Sequence, residues 1–468
     1  MTVRLDLDDI QGLFARGYRK HRYARFTIFT IPGPAAGGAL LEWLLPQIAT
    51  AAPFSGDVAI QVAFTASGLR RLGLPERVVA GFSAEFVEGM TNANRSRFLG
   101  DVGDSDPRYW TWGGPDGSPA DGLLMLYAAD PDLLGRRQAE LGRQFTENGI
   151  GGTTELAARE LGDTEPFGFH DGIAQPIVAG LPKATQAART VSAGEFVLGY
   201  PNARGQLTDR PLLPASDDPQ RLLLPDPAGS GAVDFGRNGT YLVLRQLEQD
   251  VDGFRQYLEA ATRRADGSGD PAGRAALAAK MVGRWPGGAP LVKAPDQDIP
   301  ALGDDNDFGY AGDPLGLACP IGAHIRRANP RDSLGPGPAA SLDTSDLHRL
   351  LRRGRSYGPA GDDRGDGTGL YFICLAANLA RQFEFVQHTW LNNATFNGLY
   401  DDADPLTGSH HPAGGTFTVP ARPVRRRHHG LPQFVRTRGG AYFFLPGVSA
   451  VRYLAQLHIS ARHPRTPG

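Results

Sequence analysis

The chain has little cysteine. Only Cys319 and Cys374 occur in 468 residues. Two thiols exclude the dense disulfide framework of many secreted chains, and they exclude a zinc centre built on thiolates. Both read as small buried hydrophobes. Lysine is scarce too: Lys20, Lys183, Lys280 and Lys293 are the full set, and arginine supplies the other cations. Lys and Arg total 48 against 50 Asp and Glu, for a net charge of −2. That balance offers no broad positive field, so nucleic acid is not an expected partner. No apolar run reaches the roughly 18 residues of a membrane helix, so no membrane partner is expected. The opening Met-Thr-Val-Arg-Leu-Asp-Leu-Asp-Asp is acidic and lacks the basic start and apolar run of a leader. A cytoplasmic location is the corresponding expectation.

The chain does have an ordinary globular composition, 41% hydrophobic and 21% charged, sufficient for a sizeable core. Its length fits two or three domains or one large two-part domain. β-Branched and aromatic content predicts strands over 25–31, 57–65, 122–129, 239–247 and 369–377. Apolar residues at helical spacing predict helices over 38–50, from Asp130 to Asn148, over 251–264 and after residue 377. Strands and helices alternate at short intervals, so the class is α+β or α/β. Residues 180–235 carry seven prolines and read as a boundary or long insertion. Residues 265–274, 331–342 and 359–368 are polar, Gly-rich loops.

Three segments stand out chemically. In Gly168-Phe169-His170-Asp171-Gly172, glycines flank an acid among apolar neighbours. Such a turn either presents the carboxylate to a cavity or holds a loop acid on backbone amides. A second copy, Gly113-Gly114-Pro115-Asp116-Gly117, reads as a surface turn. In Cys319-Pro320-Ile321-Gly322-Ala323-His324-Ile325-Arg326-Arg327, a histidine sits in an apolar turn, with Arg331 following. Neutral imidazole is a good axial ligand for haem iron, and Arg326, Arg327 and Arg331 would suit its propionates. The alternative is a core histidine beside a solvated basic face. In Leu350-Leu351-Arg352-Arg353-Gly354-Arg355-Ser356-Tyr357-Gly358, the alternative is a glycine-capped helix end. Adjacent histidines at 410–411 and 428–429 read as exposed loop residues rather than metal ligands.

Taken in this order, the three segments resemble the active-site motifs of the dye-decolourising peroxidases. The stretches Gly194–Asn202, Gly239–Val243, Val282–Pro286, Arg422–Arg427 and Gly440–Pro446 resemble that family too. The likeness runs from about residue 8 to about residue 456. It implies an α+β fold of two ferredoxin-like halves, antiparallel sheets with surrounding helices. Residues 1–180 would carry the distal acid loop, 181–238 a loop-rich connection, and 239–468 the haem. It further implies one haem b per chain, hydrogen peroxide as oxidant, dyes, phenols or other small molecules as reductants, and a monomer or homodimer.

By the same resemblance Asp171 is the proton shuttle, Arg352 the charge stabiliser and His324 the iron's axial ligand. Leu370 and Phe372, two apart on one strand, would cover the distal face. Glu384, on the following helix, is the candidate acceptor for the second nitrogen of His324. Tyr357, Tyr371 and Trp390 are candidates for passing electrons to bulky dyes. Activity is expected to favour acidic pH. One departure is Gly354, where some bacterial members carry an asparagine, so a third distal donor is missing. The tail Ala461–Gly468 shows no apolar docking motif. A haem-binding or iron-releasing protein without turnover would use His324 but would not require Asp171 or Arg352.

Overall fold

The computed structural model describes residues 4–117, 119–187, 189–359 and 367–462. Most of the 359–368 loop and the end of the C-terminal tail lie outside the described residues. Eight strands form the main sheet: β1 (Tyr23–Thr30), β2 (Val58–Phe64), β3 (Gly122–Ala128), β4 (Gly151–Ala157), β5 (Thr240–Gln249), β6 (Arg355–Tyr357), β7 (Gly369–Ala376) and β8 (Val435–Leu445). A two-residue strand, Leu351–Arg352, pairs on β7. The principal helices are α1 (Pro34–Leu44), α2 (Pro131–Glu147), α3 (Val251–Thr262), α4 (Pro271–Val282), the single turn α5 (His324–Ala328) and α6 (Val448–Arg462).

The strand order is β6-β7-β5-β8-β2-β3-β1-β4, with antiparallel pairing between neighbours. Two successive four-strand units therefore repeat one order, and each is ferredoxin-like in its strand and helix sequence. They meet where Phe444 of β8 pairs with Phe64 of β2. This joint hides two edges that would otherwise present unpaired backbone groups.

The predicted strands occur within a few residues of their expected limits. Helix α1 starts and ends earlier than the 38–50 expectation. Pro34 suits a first helical position, and Pro46 cannot continue the α-helical ladder, so the chain tightens over Leu45–Gln47. Residues 265–274 read as a loop, yet Pro271 opens α4, whose start is capped by Asp270 accepting from Gly273 N. Likewise the helix Pro338–Leu347 begins inside the expected 331–342 loop and runs past its end. The predicted helix after β7 is wound as π-helix over Ala380–Glu384 and Val386–Leu391. Among the described residues, no helix is long and apolar enough to cross a membrane.

Core residues line both sheet faces. Beneath one face, Val62, Phe64, Leu124 and Phe444 belong to a cluster shared with Leu40 and Leu44 of α1 and Val451 and Leu454 of α6. Across the other, Phe26, Met125, Leu244 and Phe443 pack with Leu13 and Phe14 of the N-terminal segment. α6 thus closes over the first unit although it follows the second in sequence. α2 starts where Asp130 accepts from Leu133 N at 2.8 Å. Asp130→Ala should cost about 1 kcal/mol of stability. Chemical denaturation checks this; an unchanged midpoint would show that α2 does not depend on the cap.

Candidate active site

Alternation on the second unit's strands directs one set of side chains into a cavity of about 760 Å³. Leu370 and Phe372 of β7, Arg245, Leu247 and Gln249 of β5, and Val435 and Thr437 of β8 line it. Cross-strand pairing puts Leu370 opposite Leu247 and Phe372 opposite Arg245. The far wall comes from the π-wound helix, through Phe383, Val386 and Leu391, and from α5. Leu370 and Phe372 therefore lie together on one wall, as their spacing required.

His324 opens α5 and lines this cavity. Its Nδ1 lies 3.0 Å from Asp404 Oδ2. Asp404 is fully buried, and its Oδ1 accepts from Leu406 N at 3.0 Å, Thr407 N at 2.8 Å and Thr407 Oγ1 at 3.1 Å. Burial acts to raise the Asp404 pKa, but the facing imidazole and these donors outweigh it and bring it down to about 2. Burial likewise opposes charge on His324, and Asp404 overrides it to hold the histidine above its ordinary value. With Nδ1 committed, Nε2 is the nitrogen left for a ligand.

This corrects the expectation for Glu384. Its carboxylate accepts from Arg95 Nη1 at 3.0 and 3.1 Å and from Tyr442 Oη at 2.8 Å, so it does not serve His324. The arginines after His324 also differ from expectation. Arg327 is fully buried and donates to the carbonyls of Trp390, Leu391, Asn393 and Asp402. Arg326 donates to Cys319 O at 2.7 Å and Asp313 O at 2.9 Å and lies over the Tyr310 ring. Arg331 binds Asn306 O and Phe308 O. None of the three lines the cavity. They are internal braces, because carbonyls that the fold leaves without donors consume their N–H groups.

Arg349 does line the cavity. Its side chain is 18% exposed, and its nearest acid is Asp346, at 3.8 Å. It donates no side-chain hydrogen bond to any described residue. Burial lowers its pKa to about 10, which leaves it charged at neutral pH. Arg349 immediately precedes the Leu350-Leu351-Arg352-Arg353 run, and nothing in the sequence marked it as a cavity residue.

On the sheet side, Arg352 Nη1 stands 3.5 Å from Asp171 Oδ1. Both side chains are partly open, at 34% and 40%, and both line the cavity. Asp171 Oδ1 also accepts from Gly172 N at 2.6 Å. Oδ2 accepts no hydrogen bond from described residues. Gly168 and Gly172 have φ of 99° and 82°, a region where glycine is favoured, and they turn the loop around the acid. Glu165 anchors the loop from within. It accepts from Phe167 N and Phe169 N, both at 2.9 Å, and from Gln249 Nε2 at 2.8 Å.

Tyr357, Tyr371 and Trp390 are buried, 4–6% exposed. Tyr357 stacks on Tyr371 at 4.6 Å, and Trp390 packs against Phe385 and His348. They fill interior space, so none presents a surface to a bulky dye. His410 also departs from the exposed-loop reading, because it lies in the cavity wall with Nε2 2.9 Å from Asp404 O. Among the described residues, no cluster of His, Cys, Asp and Glu could hold a bare metal ion.

The chain is 32% identical over 484 aligned residues to dye-decolorizing peroxidase AauDyP1 of Auricularia auricula-judae, across 96% of this chain and 87% of that one. It belongs to the dye-decolourising peroxidase family. It is also 31% identical to the multifunctional dye peroxidase DyP2 of an Amycolatopsis species, over 85% of this chain and 82% of the relative. A solved dye-decolorizing peroxidase in complex with 2,6-dimethoxyphenol superposes with a TM-score of 0.78 at 27% identity. That match covers 96% of this chain and all of the other. No protein-family model matches the chain. As a member of the dye-decolourising peroxidases it is an oxidoreductase of the peroxidase class.

The brace reading of the arginines has a direct test. Arg327→Met strips donors from buried carbonyls and should destabilise the cofactor-free protein by about 1–3 kcal/mol or more. Thermal melting reads this. An unchanged melting temperature with weakened cofactor binding would restore the propionate role.

Proposed function

We propose that the cavity holds one haem b and that the protein reduces hydrogen peroxide while oxidising dyes, phenols or similar one-electron donors. The observation that carries this is that one cavity is lined both by an imidazole with only Nε2 available and by a carboxylate–guanidinium pair. The apolar residues that also line it suit a flat macrocycle, and Arg349 supplies a cation with unused donors for its carboxylates. Bound haem supplies the electron-transfer chemistry between peroxide and donor.

The remaining steps belong to side chains. His324 Nε2 would hold the iron, and Asp404 would fix the imidazole's tautomer and raise its donor strength. Leu370 and Phe372 narrow the distal space and keep bulky molecules from it. Asp171 Oδ2 would take the proton from one peroxide oxygen and return it to the other as the bond between them breaks, and over the full cycle two electrons from the donors and two protons turn the peroxide into two waters. Arg352 carries a permanent charge on a rigid donor fork, and it stabilises the negative charge that builds as the oxygen–oxygen bond lengthens. Its contact with Asp171 Oδ1 leaves further N–H groups for this work.

Purified protein should show the intense absorption of haem, and His324→Ala should lose it. Asp171→Asn should retain the spectrum while peroxide-driven dye oxidation falls by roughly 10²–10⁴-fold. Haem retention with full activity in Asp171→Asn would leave the reading without its proton carrier. A colourless protein that fails to take up haem would remove the cofactor itself. Asp404→Ala should weaken haem binding by about 10–100-fold, measured by haem titration. Unchanged affinity would place the orienting acid elsewhere.

A further inference from the structure

Asp171 sits on a loop and Arg352 on a two-residue strand, so neither is held by a long ladder. Leu351–Arg352 pairs with β7 through Leu375 and Cys374. Its other edge meets no strand among the described residues, and an outward backbone N–H there needs an acceptor. Gln175 provides it: its Oε1 accepts Arg352 N at 3.0 Å. Gln175 lies four residues beyond Asp171 on the same loop. One loop therefore grips Arg352 twice, by the backbone through Gln175 and by the guanidinium through Asp171.

The start of this loop is fixed independently. Glu165 ties the Phe167 and Phe169 amides together and is held to β5 by Gln249. The Asp171 amide donates to Asp163 O at 3.0 Å, and the His170 amide to Pro286 O at 2.9 Å. The position of the acid is thus set by its own loop. What remains is to bring the arginine to it. An arginine side chain is long and rich in rotamers, so its reach depends on where its backbone starts.

We infer that Gln175 is a positioning residue for the peroxide step: its amide oxygen pins the Arg352 backbone and so sets the approach of Arg352 to Asp171. This rests on the proton-carrier and charge-stabiliser reading of that pair. Gln175 itself does not line the cavity, although its neighbour Ala174 does. A cap that served only stability would lower the melting temperature and leave the rate per haem-loaded molecule unchanged. A positioning role moves the rate, because a displacement of about 1 Å can cost on the order of a hundredfold.

The test uses Gln175→Leu in the haem-loaded protein, with the second-order rate of the peroxide reaction followed by stopped flow. In the haem-free protein, backbone hydrogen exchange at Arg352 is measured. We expect the peroxide rate to fall roughly 10–100-fold, the KM for dye to stay within about twofold, and the Arg352 amide to exchange at least about tenfold faster. Gln175→Glu keeps an acceptor oxygen at the same length and should restore the rate to within about threefold of the parent. If Gln175→Leu does not fold, Gln175→Asn takes its place, being polar but one methylene too short. A variant lacking the contact that retains the parent rate, while Asp171→Asn is inactive, overturns the positioning role. An active Asp171→Asn instead overturns the reading of the pair, whatever Gln175 does.

Discussion

The chemistry of the cavity depends first on the 3.0 Å contact between His324 Nδ1 and Asp404 Oδ2. A fully buried carboxylate is costly unless it is paired and hydrogen-bonded. Asp404 is both, with the imidazole on one oxygen and three donors from Leu406 and Thr407 on the other. The contact selects which ring nitrogen faces the cavity, and it keeps the ring from rotating. Arg327 serves the same end. By donating to four carbonyls between Trp390 and Asp402, Arg327 secures the segment that delivers Asp404.

The Asp171–Arg352 side of the cavity lining comes from other parts of the chain. Strands β5, β7 and β8 give a continuous wall whose outward alternation is fixed by register, and the loop carrying Asp171 is laid against its edge. The loop that follows the first unit reaches a cavity on the second because the chain just after β4 meets β6, where Ala158 bridges to Tyr357 and Arg159 N donates to Ser356 O at 2.9 Å. The Phe64–Phe444 pairing joins both units into one sheet, and segments of each end beside the same cavity. Residues 99–105 reach it in the same way.

Much of this was legible in the sequence. β-Branched runs marked the strands, and the spacing of Leu370 and Phe372 placed both on one face. Asp171, His324 and Arg352 could be singled out because their neighbours formed recognisable motifs. What stayed hidden has one physical cause: the partners of a buried polar group are set by tertiary approach. Arg95, 289 positions before Glu384, claims that acid. Asp404, 80 positions after His324, claims the histidine from within an acidic stretch with nothing to distinguish it. Arg326, Arg327 and Arg331 read as ligand-binding cations because the carbonyls that consume their donors have no sequence signature. Gln175 and Glu165 were passed over for the same reason.

The central claim is that a single planar cofactor lies between His324 and the Asp171–Arg352 pair. A crystal structure of the haem-loaded protein tests it most directly. The account predicts iron bound by His324 Nε2, with Asp171 and Arg352 across the opposite haem face and still in contact. Iron bound by another residue, or all three side chains on one side of the ring, would contradict it.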